Sequence, residues 1–361
     1  MRIDFRPARP LALVSLAAVL FGCERPTAVR ETISTAPPHP TAGAARVISP
    51  VVLPQVESSN QGVHPDGGLT PPGAFAYPWH LVLTPYPYSL ALVENPYVFA
   101  SPDALTWAVE PGAVNPVARP RPQSNGELLS DPALVYVPES QELWLYYRSY
   151  TPDSDRVWLI RSADAVNWTP PALVFAVADG QALSPSVVHR APGEWLMWTV
   201  SGHCAQGVPH VELRRSVNGL AWSAPEMVSL PGLAPWHVFV RWVESLRSWV
   251  LATNVKTGPY TCLTKDLYLA TSSDGLSWKH GDSPWLSAGE DSLGLFPSVV
   301  YRTAFAEVGD SLRFWYSGAA MQYRTSTCHN GTMTCTDSSL VWSRLGTEIR
   351  AATDVLLLPI Q

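Results

Sequence analysis

Polar side chains recur at the starts of apolar, β-rich runs along this 361-residue sequence. Carboxylates and imidazoles at such positions can exchange protons with a bound molecule, and a pair of carboxylates, one ionised and one protonated, can act as base and acid on opposite sides of a scissile bond. The residue phrases in question are His64-Pro65-Asp66, Ser130-Asp131-Pro132, Ser184-Pro185-Ser186, Trp236-His237 and Phe296-Pro297-Ser298, with Arg302 further along the last run and Glu94-Asn95-Pro96 as an extra polar insertion.

A repeated turn motif indicates how these phrases are positioned. A Ser, an Asp or Asn and a Trp recur at nearly fixed offsets in four segments: Ser101 to Trp107, Ser162 to Trp168, Ser216 to Trp222 and Ser272 to Trp278. Asp-Gly and Asn-Gly are hairpin-turn signals, and alternating β-rich runs precede them. We therefore expect a turn between two antiparallel strands. The polar residues that recur in the motif should make hydrogen bonds within their turns, while the Trp residues pack between repeats; these polar residues are Asp103, Asp164, Asn218 and Asp274.

The repeat predicts an all-β fold, a five-bladed β-propeller with four antiparallel strands per blade. A further pair of strands precedes each turn, so one repeat holds four strands in roughly 50 to 60 residues, the period of a propeller blade. A less regular copy begins at His64, and the last copy, from Phe296, lacks the turn. We expect residues 46 to 361 to form the propeller and a strand from Val47 to Leu53 to close the ring. The first strand of each blade lines the axis, so the polar phrases should converge on one central pocket.

Composition excludes several classes of protein. The chain is 46% hydrophobic and 15% charged with 15 Trp and 13 Tyr, enough apolar surface for a large core rather than a disordered chain. The net charge of -6 provides no basic surface for nucleic acid or anionic lipid. We expect no nucleic-acid partner, no cofactor and a monomer, with membrane contact only through a lipid anchor.

The N-terminus has the features of an export signal. Arg2, Arg6 and Arg9 precede an apolar run from Leu11 to Phe21 that is too short to span a bilayer comfortably. Leu20-Phe21-Gly22-Cys23 resembles a bacterial lipobox, which predicts a signal peptide over residues 1 to 23 with Cys23 lipidated; the alternative is a signal cleaved further along. Residues 24 to 45, rich in Pro, Thr and Ala, are expected to be a flexible tether. The expected location is the cell envelope, lipid-anchored, in the periplasm or on the cell surface.

Four cysteines remain once Cys23 is set aside. In an exported chain an even number favours disulfides. Cys328 and Cys335 flank a short polar stretch and are expected to close a small loop, which leaves Cys204 and Cys262 to join loops of neighbouring repeats. A metal site is the rival interpretation. Because no Cys-x-x-Cys pair is present and the spacing of His203 and His329 is unlike that of a zinc finger, no metal is expected.

Several phrases resemble, in the same order, those of the five-bladed propeller glycosidases, the clan that contains families 32, 43 and 68, and more closely its uncharacterised relatives. The resemblance runs from about His64 to Leu345 and is carried by Thr84-Pro85-Tyr86-Pro87-Tyr88, Glu94-Asn95-Pro96-Tyr97, Ser130-Asp131-Pro132, Leu183 to Val188 and Phe314-Trp315-Tyr316-Ser317. It implies three axial acids: an Asp opening the first blade, an Asp opening the second and a Glu opening the third. Only Asp131 falls on this pattern, because the first position is His64-Pro65 and the third is Ser184-Pro185-Ser186.

The resemblance and the polar phrases together select the candidate site residues. Asp131 and Glu94 are the predicted catalytic carboxylates, with capping of a turn and burial against backbone amides as their structural alternatives. Asp66, Glu290 and Asp291 are further nearby acids that resemble ordinary loop carboxylates, and no His-Asp partner for a serine nucleophile is recognisable. Aromatic side chains that could stack on sugars are Trp79, Tyr86, Tyr88 and Trp236. The predicted substrate-binding residues are His64, Asp66, Asn95, Ser184, Ser186, Trp236, His237 and Arg302, of which each histidine could instead be a core residue.

Three functions follow as hypotheses. The first is a glycoside hydrolase that acts on an oligo- or polysaccharide through axial carboxylates. The second is a non-catalytic surface lipoprotein that binds glycans or another protein, favoured by the two missing acids. The third is a purely structural envelope protein, which an axis plugged by side chains would favour.

Overall fold

A computed structural model describes residues 29–32, 46–54, 56, 60–120, 127–151, 153–178, 180–202, 209–256, 264–320, 323–329, 332–336, 341–342 and 345–355. Cys23, Cys204, Cys262 and the predicted signal peptide lie outside these ranges. Among the residues that the structure describes, no helix is both long enough and apolar enough to span a bilayer.

The described chain is built mainly of β-strands, in five antiparallel blade sheets and a sixth, three-stranded sheet outside them. Two short strands, β1 (Val29–Thr32) and β2 (Ser49–Pro50), precede the first blade. Blade 1 contains β3 (Gly62–Leu69), β4 (Trp79–Pro85) and β5 (Tyr97–Ser101); blade 2 contains β6 (Leu128–Val137), β7 (Glu142–Thr151), β8 (Ser154–Ser162) and β9 (Ala172–Ala178); blade 3 contains β10 (Leu183–Ala191), β11 (Glu194–Ser201), β12 (His210–Ser216) and β13 (Glu226–Met227).

Blades 4 and 5 complete the ring. Blade 4 contains β14 (Pro235–Val243), β15 (Ser248–Lys256), β16 (Thr264–Ser272), β17 (Lys279–His280) and β18 (Leu286–Ser287), and blade 5 begins with β19 (Val299–Val308) and β20 (Ser311–Ala320). A hairpin of β21 (Tyr323–His329) and β22 (Thr332–Thr336) follows, then β23 (Val341–Trp342) and β24 (Gly346–Ala351), and short 3-10 helices cover Pro87–Ser89, Ala91–Val93 and Ala352–Val355. The innermost strands β3, β6, β10, β14 and β19 contact one another in sequence, and β19 contacts β3. The predicted five-bladed propeller is confirmed.

Blade 1 departs from the expected four strands. Its sheet has three strands, and beyond β5 the described pairings are two single bridges, an antiparallel one between Ala100 and Ala108 and a parallel one between Val52 and Thr106. The segment that follows contains Pro111 and Pro116, which lack the N–H that a ladder needs, so a regular fourth strand cannot continue there.

The ring is closed by the segment that the sequence analysis predicted for this purpose. Strand β2 pairs antiparallel with β24 and so supplies the outer strand of blade 5. Ile48 is fully buried beside Gly346, where an added Cβ would lie 2.6 Å from the Ile48 Cγ2 atom. The Val51 N–H donates to the Leu345 carbonyl at 2.7 Å, and the Trp107 N–H donates to the Val52 carbonyl at 3.0 Å. The N-terminal segment therefore connects the last blade to the first.

Replacing Ile48 with Ala should destabilise the propeller by about 2 to 5 kcal/mol, because a fully buried side chain leaves a cavity where the two ends of the ring meet. The free energy of unfolding from denaturant titration measures this. The adjacent Val47, 68% exposed, is the matched control, and Val47→Ala should change stability by less than about 0.5 kcal/mol. Equal effects of the two variants would show that the closing segment does not hold the ring.

The repeated motif forms the turns expected of it. In the first copy the Asp103 Oδ1 atom accepts hydrogen bonds from the N–H groups of Leu105 at 2.8 Å and Thr106 at 2.9 Å, and Ser101 Oγ accepts one from Ala104 at 2.9 Å. Asp164, Asn218 and Asp274 make the same contacts in the other copies. The motif is structural, as predicted.

The same turns also fasten neighbouring blades together. The Trp222 indole N–H donates to the Gly219 carbonyl at 3.1 Å, and the Tyr146 hydroxyl of blade 2 donates to that carbonyl at 2.8 Å. Trp278 and, from blade 3, Trp198 likewise donate to the Gly275 carbonyl. The turns of blades 3 and 4 therefore each present an acceptor to the preceding blade.

Three features of the termini bear on the sequence predictions. Within the segment expected to be a tether, β1 pairs with β21, which pairs with β22 on its other side. In the hairpin, Cys328 lies opposite Met333 and Cys335 opposite Ser326. The disulfides stay predictions.

A buried histidine outside the axis makes the fold sensitive to acid. His80 is 1% exposed, its ring packs edge-on against Phe75 with centroids 4.9 Å apart, and neither ring nitrogen has a hydrogen-bond partner. Burial lowers the pKa of His80 to about 4 from 6.5. In the unfolded chain the imidazole takes up a proton first as the pH falls, so the folded state loses stability from about pH 6.5 down to about pH 4.

His80→Leu should remove this part of the acid sensitivity. A difference of this size between the two pKa values corresponds to roughly 3 kcal/mol of stability lost between pH 7 and pH 4 in the wild-type protein and retained in the variant. Denaturant titrations at several pH values measure the two slopes. Leu83→Ala, which shortens a buried side chain of the same strand without removing a titratable group, is the control and should lower stability by the same amount at every pH. Parallel pH profiles for wild type and His80→Leu would contradict the assignment.

Candidate functional site at the propeller axis

The five innermost strands share one irregularity at the same level of the axis. Each has a β-bulge near its start, where a residue of the strand is left unpaired, and β10 has a second register shift between His189 and Ala191. A bulge bends the strand and redirects its side chains, and bulges are common beside functional sites. The register shifts lie between Val63 and Asp66, Ser130 and Ala133, Leu183 and Ser186, Pro235 and His237, and Val300 and Thr303. The polar phrases of the first four blades fall on these bulges; in blade 5 the bulge holds Arg302, whereas Phe296-Pro297-Ser298 precedes the strand.

Three of the bulges hold a non-glycine residue in the left-handed backbone conformation. His64, Asp131 and Ser184 have φ values of 55°, 50° and 55°, and each precedes a proline. Such residues cost about 1 to 3 kcal/mol each and persist where the surrounding structure fixes them. Three equivalent blade positions therefore keep a strained backbone, and in two of them the side chain is His64 or Asp131.

His64, Asp131 and His237 form the centre of the site. The Asp131 Oδ1 atom lies 3.5 Å from His64 Nε2 and 3.3 Å from His237 Nδ1, and the two imidazole centroids are 4.9 Å apart. All three side chains are buried. One carboxylate oxygen therefore faces two imidazole nitrogens from two other blades.

A surrounding layer orients this centre. Glu94 Oε1 lies 3.4 Å from His64 Nδ1, on the side of the ring opposite Asp131, and Thr84 Oγ1 lies 3.1 Å from the same nitrogen. On the other oxygen of Asp131, the Ser130 hydroxyl donates at 3.2 Å and an Arg148 nitrogen lies 3.5 Å away. Both sides of the His64–Asp131 pair are thereby held by polar contacts.

Two further ion-pair groups complete the axis. Arg148 contacts Asp155 Oδ1 at 2.7 Å, and Asp155 Oδ2 in turn accepts the Ala182 N–H at 3.1 Å. Arg241 donates to Asp66 Oδ1 at 2.7 Å. The fully buried Arg302 lies between the groups, 3.7 Å from Asp66 and 3.6 Å from Asp131 Oδ1, and donates to the Pro185 carbonyl at 3.1 Å. These contacts place three guanidinium groups among four carboxyl groups, counting Glu94.

Burial and these neighbours separate the ionisation of the axial groups. Burial and then Asp131 raise the pKa of Glu94 well above its usual value. For Asp131, burial works in the same direction, but His64, His237 and Arg148 outweigh it and hold its pKa well below the usual range. Burial lowers the pKa of His64 and of His237, against the opposing effect of Asp131. Arg148 and Arg302 lie 3.5 and 3.6 Å from Asp131 and favour its ionised form whether or not the imidazoles are protonated.

The central atoms could hold a metal cation. His64 Nε2, Asp131 Oδ1 and His237 Nδ1 are buried without a hydrogen-bond partner, and one ligand atom from each residue lies within 4.8 Å of the others. In a tetrahedral zinc site with metal–ligand bonds near 2.0 to 2.2 Å, ligand atoms are about 3.3 to 3.6 Å apart. The two measured separations, 3.5 and 3.3 Å, fall in that range. Two neutral imidazoles and an ionised carboxylate are the protonation states that a divalent metal requires.

Comparison with known proteins agrees with this architecture. No family model matches the chain. The chain is 27% identical over 313 residues to the A type blood N-acetyl-alpha-D-galactosamine deacetylase of Flavonifractor plautii, a match covering 72% of this chain and 40% of the relative. The chain thus spans less than half of that relative's length.

Solved structures resemble the propeller as a whole. An N-acetylgalactosamine deacetylase from F. plautii in complex with blood group B trisaccharide superposes with a TM-score of 0.73 at 24% identity, over 86% of this chain and 96% of that one. A GH62 hydrolase in complex with xylotriose gives a TM-score of 0.56 at 14% identity, over 84% and 96%. The chain has the fold of the five-bladed propeller glycosidases. The resemblance of the residue phrases to that clan is therefore confirmed at the level of fold.

In this glycosidase-type propeller the predicted site residues divide into two groups. The structure brings His64, Asp66, Glu94, Asp131, His237 and Arg302 together at the axis. The other predicted ligands have partners within the fold. Ser184 Oγ and Ser186 Oγ accept the N–H groups of Val238 and Val240 in blade 4, Asn95 donates to the Val93 carbonyl, and Trp236 donates to the Tyr301 hydroxyl at 3.0 Å. Their roles in binding stay predictions.

The nearby acids of the last loop are structural. Asp291 accepts the N–H groups of Leu293, Leu295 and Phe296, and Glu290 accepts that of Ser287. Both were weighed as axial carboxylates or ordinary loop acids, and the hydrogen bonds agree with the second interpretation.

Sequence analysis missed four residues of the axial group and the cation geometry. Arg148, Arg241 and Tyr301 lie within strands, and Asp155 lies at the start of β8, which is not an innermost strand. The Tyr301 ring packs 4.5 Å from that of His237. A charged residue inside an apolar strand, as in Leu143-Trp144-Leu145-Tyr146-Tyr147-Arg148, was the available signal. The search for metal ligands considered cysteines and closely spaced histidines, whereas the ligand atoms come from blades 1, 2 and 4.

The chelator-treated protein should bind one Zn²⁺ ion, measured by titration calorimetry. Asp131→Asn and His237→Gln, which preserve shape while removing a ligand atom, should each weaken the affinity by more than about a hundredfold. His80→Gln is the control, since His80 is equally buried and lies outside the cluster. Wild-type affinity in both axial variants would show that the three residues do not hold the ion.

Proposed function

We propose that this chain is a carbohydrate-active hydrolase that removes the acetyl group from an N-acetylated sugar of a glycan. The observation that carries the proposal is the buried His64–Asp131–His237 centre with unpartnered ligand atoms beside the protonatable Glu94. The name of the relative, a deacetylase of N-acetylgalactosamine, agrees with this chemistry. Metal-assisted hydrolysis of an amide requires a cation with open coordination positions and a nearby general base, and three protein ligands leave such positions open.

A cation held by these residues would supply positive charge to polarise the acetamide carbonyl and to acidify a water molecule. The three ligand residues fix the position of that charge at the axis. Thr84 and Glu94 contact His64 Nδ1, which orients the ring so that its Nε2 atom faces Asp131. Arg148 and Ser130 hold the second oxygen of Asp131 and thereby aim the first one at the two imidazoles.

Glu94 is the residue for proton transfer. Glu94 starts protonated because its pKa is raised, and it donates that proton to nitrogen as the carbon–nitrogen bond breaks; it regains a proton from the water whose oxygen bonds to the acetamide carbon. The products are acetate and the amino sugar, so atoms and charge balance with one water consumed. The raised pKa of Glu94 suits a group that must carry a proton between the two steps.

The test is acetate release. Purified protein supplied with Zn²⁺, Co²⁺ or Mn²⁺ should release acetate from oligosaccharides bearing terminal N-acetylhexosamine, and Glu94→Gln should lower kcat/KM by about 10² to 10⁴ because proton transfer is lost. The control is Glu110→Gln, a buried glutamate outside the axial group whose loss should leave kcat/KM unchanged. No acetate from N-acetylated glycans with any of the three ions would refute deacetylation.

Glycoside hydrolysis is the second candidate, and one observation favours it. The pKa values of Asp131 and Glu94 are displaced in opposite directions, as in a nucleophile and acid pair. Assaying the same incubations for new reducing ends separates the candidates. Reducing ends that persist after chelation and disappear in Asp131→Asn would establish the glycosidase; binding without release of acetate or sugar would establish a non-catalytic glycan-binding protein.

We further propose that the protein works at the cell envelope, held by a lipid on Cys23. Support comes from the basic and apolar N-terminal run and the lipobox-like Leu20 to Cys23. Globomycin-sensitive processing and labelling by a palmitate analogue test this; unchanged processing in Cys23→Ala would refute it.

A further inference from the structure

The connection between β4 and β5 lies at one end of the axial site. Gly62, at the start of β3, pairs with Pro85, at the end of β4. The connection therefore begins at the same end of blade 1 as His64. The connection then returns to the axis at Glu94, 3.4 Å from His64. Residues 86 to 93 therefore lie between two points that are both anchored to the site.

This connection exposes a cluster of large apolar side chains. Tyr88 is 61% exposed, Leu90 48% and Leu92 67%, within five consecutive positions. Single exposed apolar residues are common on protein surfaces, whereas a group of them next to a site indicates a binding surface. We name Tyr88, Leu90 and Leu92 the mouth cluster.

Tyr88 is held in an unusual conformation. Its φ of 50° and ψ of 35° place it in the left-handed region, which is unfavourable for a residue with a bulky side chain. Its N–H donates to Gln61 Oε1 at 3.1 Å, and the Gln61 carbonyl accepts the Tyr86 N–H at 2.8 Å. Gln61 is buried and immediately precedes β3. The backbone of Tyr88 is thus tied to the strand that carries His64.

The structure also separates Tyr88 from the other aromatic candidates. Trp79 and Trp236 are buried, and Trp236 is bonded to Tyr301. Tyr86 is partly buried and packs with Tyr301 beside Val63 and Val299. Of these four aromatic side chains, Tyr88 alone presents most of its surface to solvent.

We infer that Tyr88 is the stacking platform of a second sugar subsite, which takes the pyranose ring adjoining the one whose substituent reaches the axis. This inference rests on the proposed action on glycans. An aromatic ring offers a flat apolar face to the C–H groups of a sugar and a polar edge to its hydroxyls. A backbone that is already fixed before binding loses less entropy when the sugar binds, and the hydrogen bonds to Gln61 hold Tyr88 at a fixed position relative to His64.

The experiment compares binding of one sugar with binding of several. Calorimetry with free N-acetylgalactosamine and with a trisaccharide bearing a terminal N-acetylgalactosamine is run on wild type, Tyr88→Ala and Tyr88→Phe. Tyr88→Ala should weaken trisaccharide binding about tenfold and monosaccharide binding less than about twofold, whereas Tyr88→Phe keeps the flat face and should stay within about threefold of wild type. The control is Leu173→Ala, an exposed apolar residue on β9, which should change neither affinity.

The readout is binding rather than turnover, so the two proposals can fail separately. Tyr88-dependent trisaccharide binding without acetate release would uphold the subsite and refute deacetylation. Three results would overturn the subsite even where acetate is released. They are equal weakening of monosaccharide and trisaccharide binding in Tyr88→Ala, no weakening of either, and no measurable binding of the trisaccharide by wild type. Loss of binding to phosphatidylglycerol vesicles in Tyr88→Ala with unchanged sugar affinity would assign the mouth cluster to a lipid surface instead.

Discussion

The ionised Asp131 carboxylate is the constraint on which the axis depends. It is buried at the centre of five blades, and a lone carboxylate there would be far too costly to maintain. Two histidines and two arginines, from the innermost or second strands of four blades, surround it within 3.3 to 3.6 Å. Because each neighbour comes from a different part of the chain, the charge can stay ionised only when the ring is fully assembled. Closure of the ring by β2 is therefore needed for Asp131 to stay ionised at the axis.

The bulges show how a regular sheet produces an irregular site. An unbroken antiparallel strand directs alternate side chains to its two faces, which cannot bring His64, Asp131 and His237 to one point. One extra residue per innermost strand, at the same level in every blade, turns the backbone enough to aim these side chains along the axis. The left-handed conformations of His64 and Asp131 are the local cost, and the dense interlocking of turns such as Asn218 and Asp274 with neighbouring blades compensates for it.

The sequence was informative where a physical rule repeats and silent where contacts are unique. The Ser-x-Asp turn recurs with the same hydrogen bonds in four blades, so its period revealed the propeller, and the same logic placed His64, Asp131 and His237 near a common axis. The side-chain contacts between blades do not repeat along the sequence in this way. Nothing in the sequence states that Arg241 reaches across to Asp66, that Ser184 bonds to blade 4, or that two imidazole nitrogens face one oxygen. The cation geometry therefore emerged only from coordinates.

The departure from the glycosidase pattern gains a physical meaning under the proposed function. The resemblance implies an aspartate at the first-blade position and a glutamate at the third, where this chain has His64 and Ser184. Two carboxylates across a sugar suit cleavage of a glycosidic bond, but adding acids beside Asp131 would raise the cost of ionising each of them. A neutral imidazole at the first position removes that repulsion and offers a nitrogen ligand, and His237 adds another. Replacing one acid by histidine converts a site for proton transfer between carboxylates into one suited to hold a divalent cation, with Glu94 left beside it as the acid and base. On this argument the same propeller changes its chemistry through the residues at the bulges, without any change in the blades that carry them.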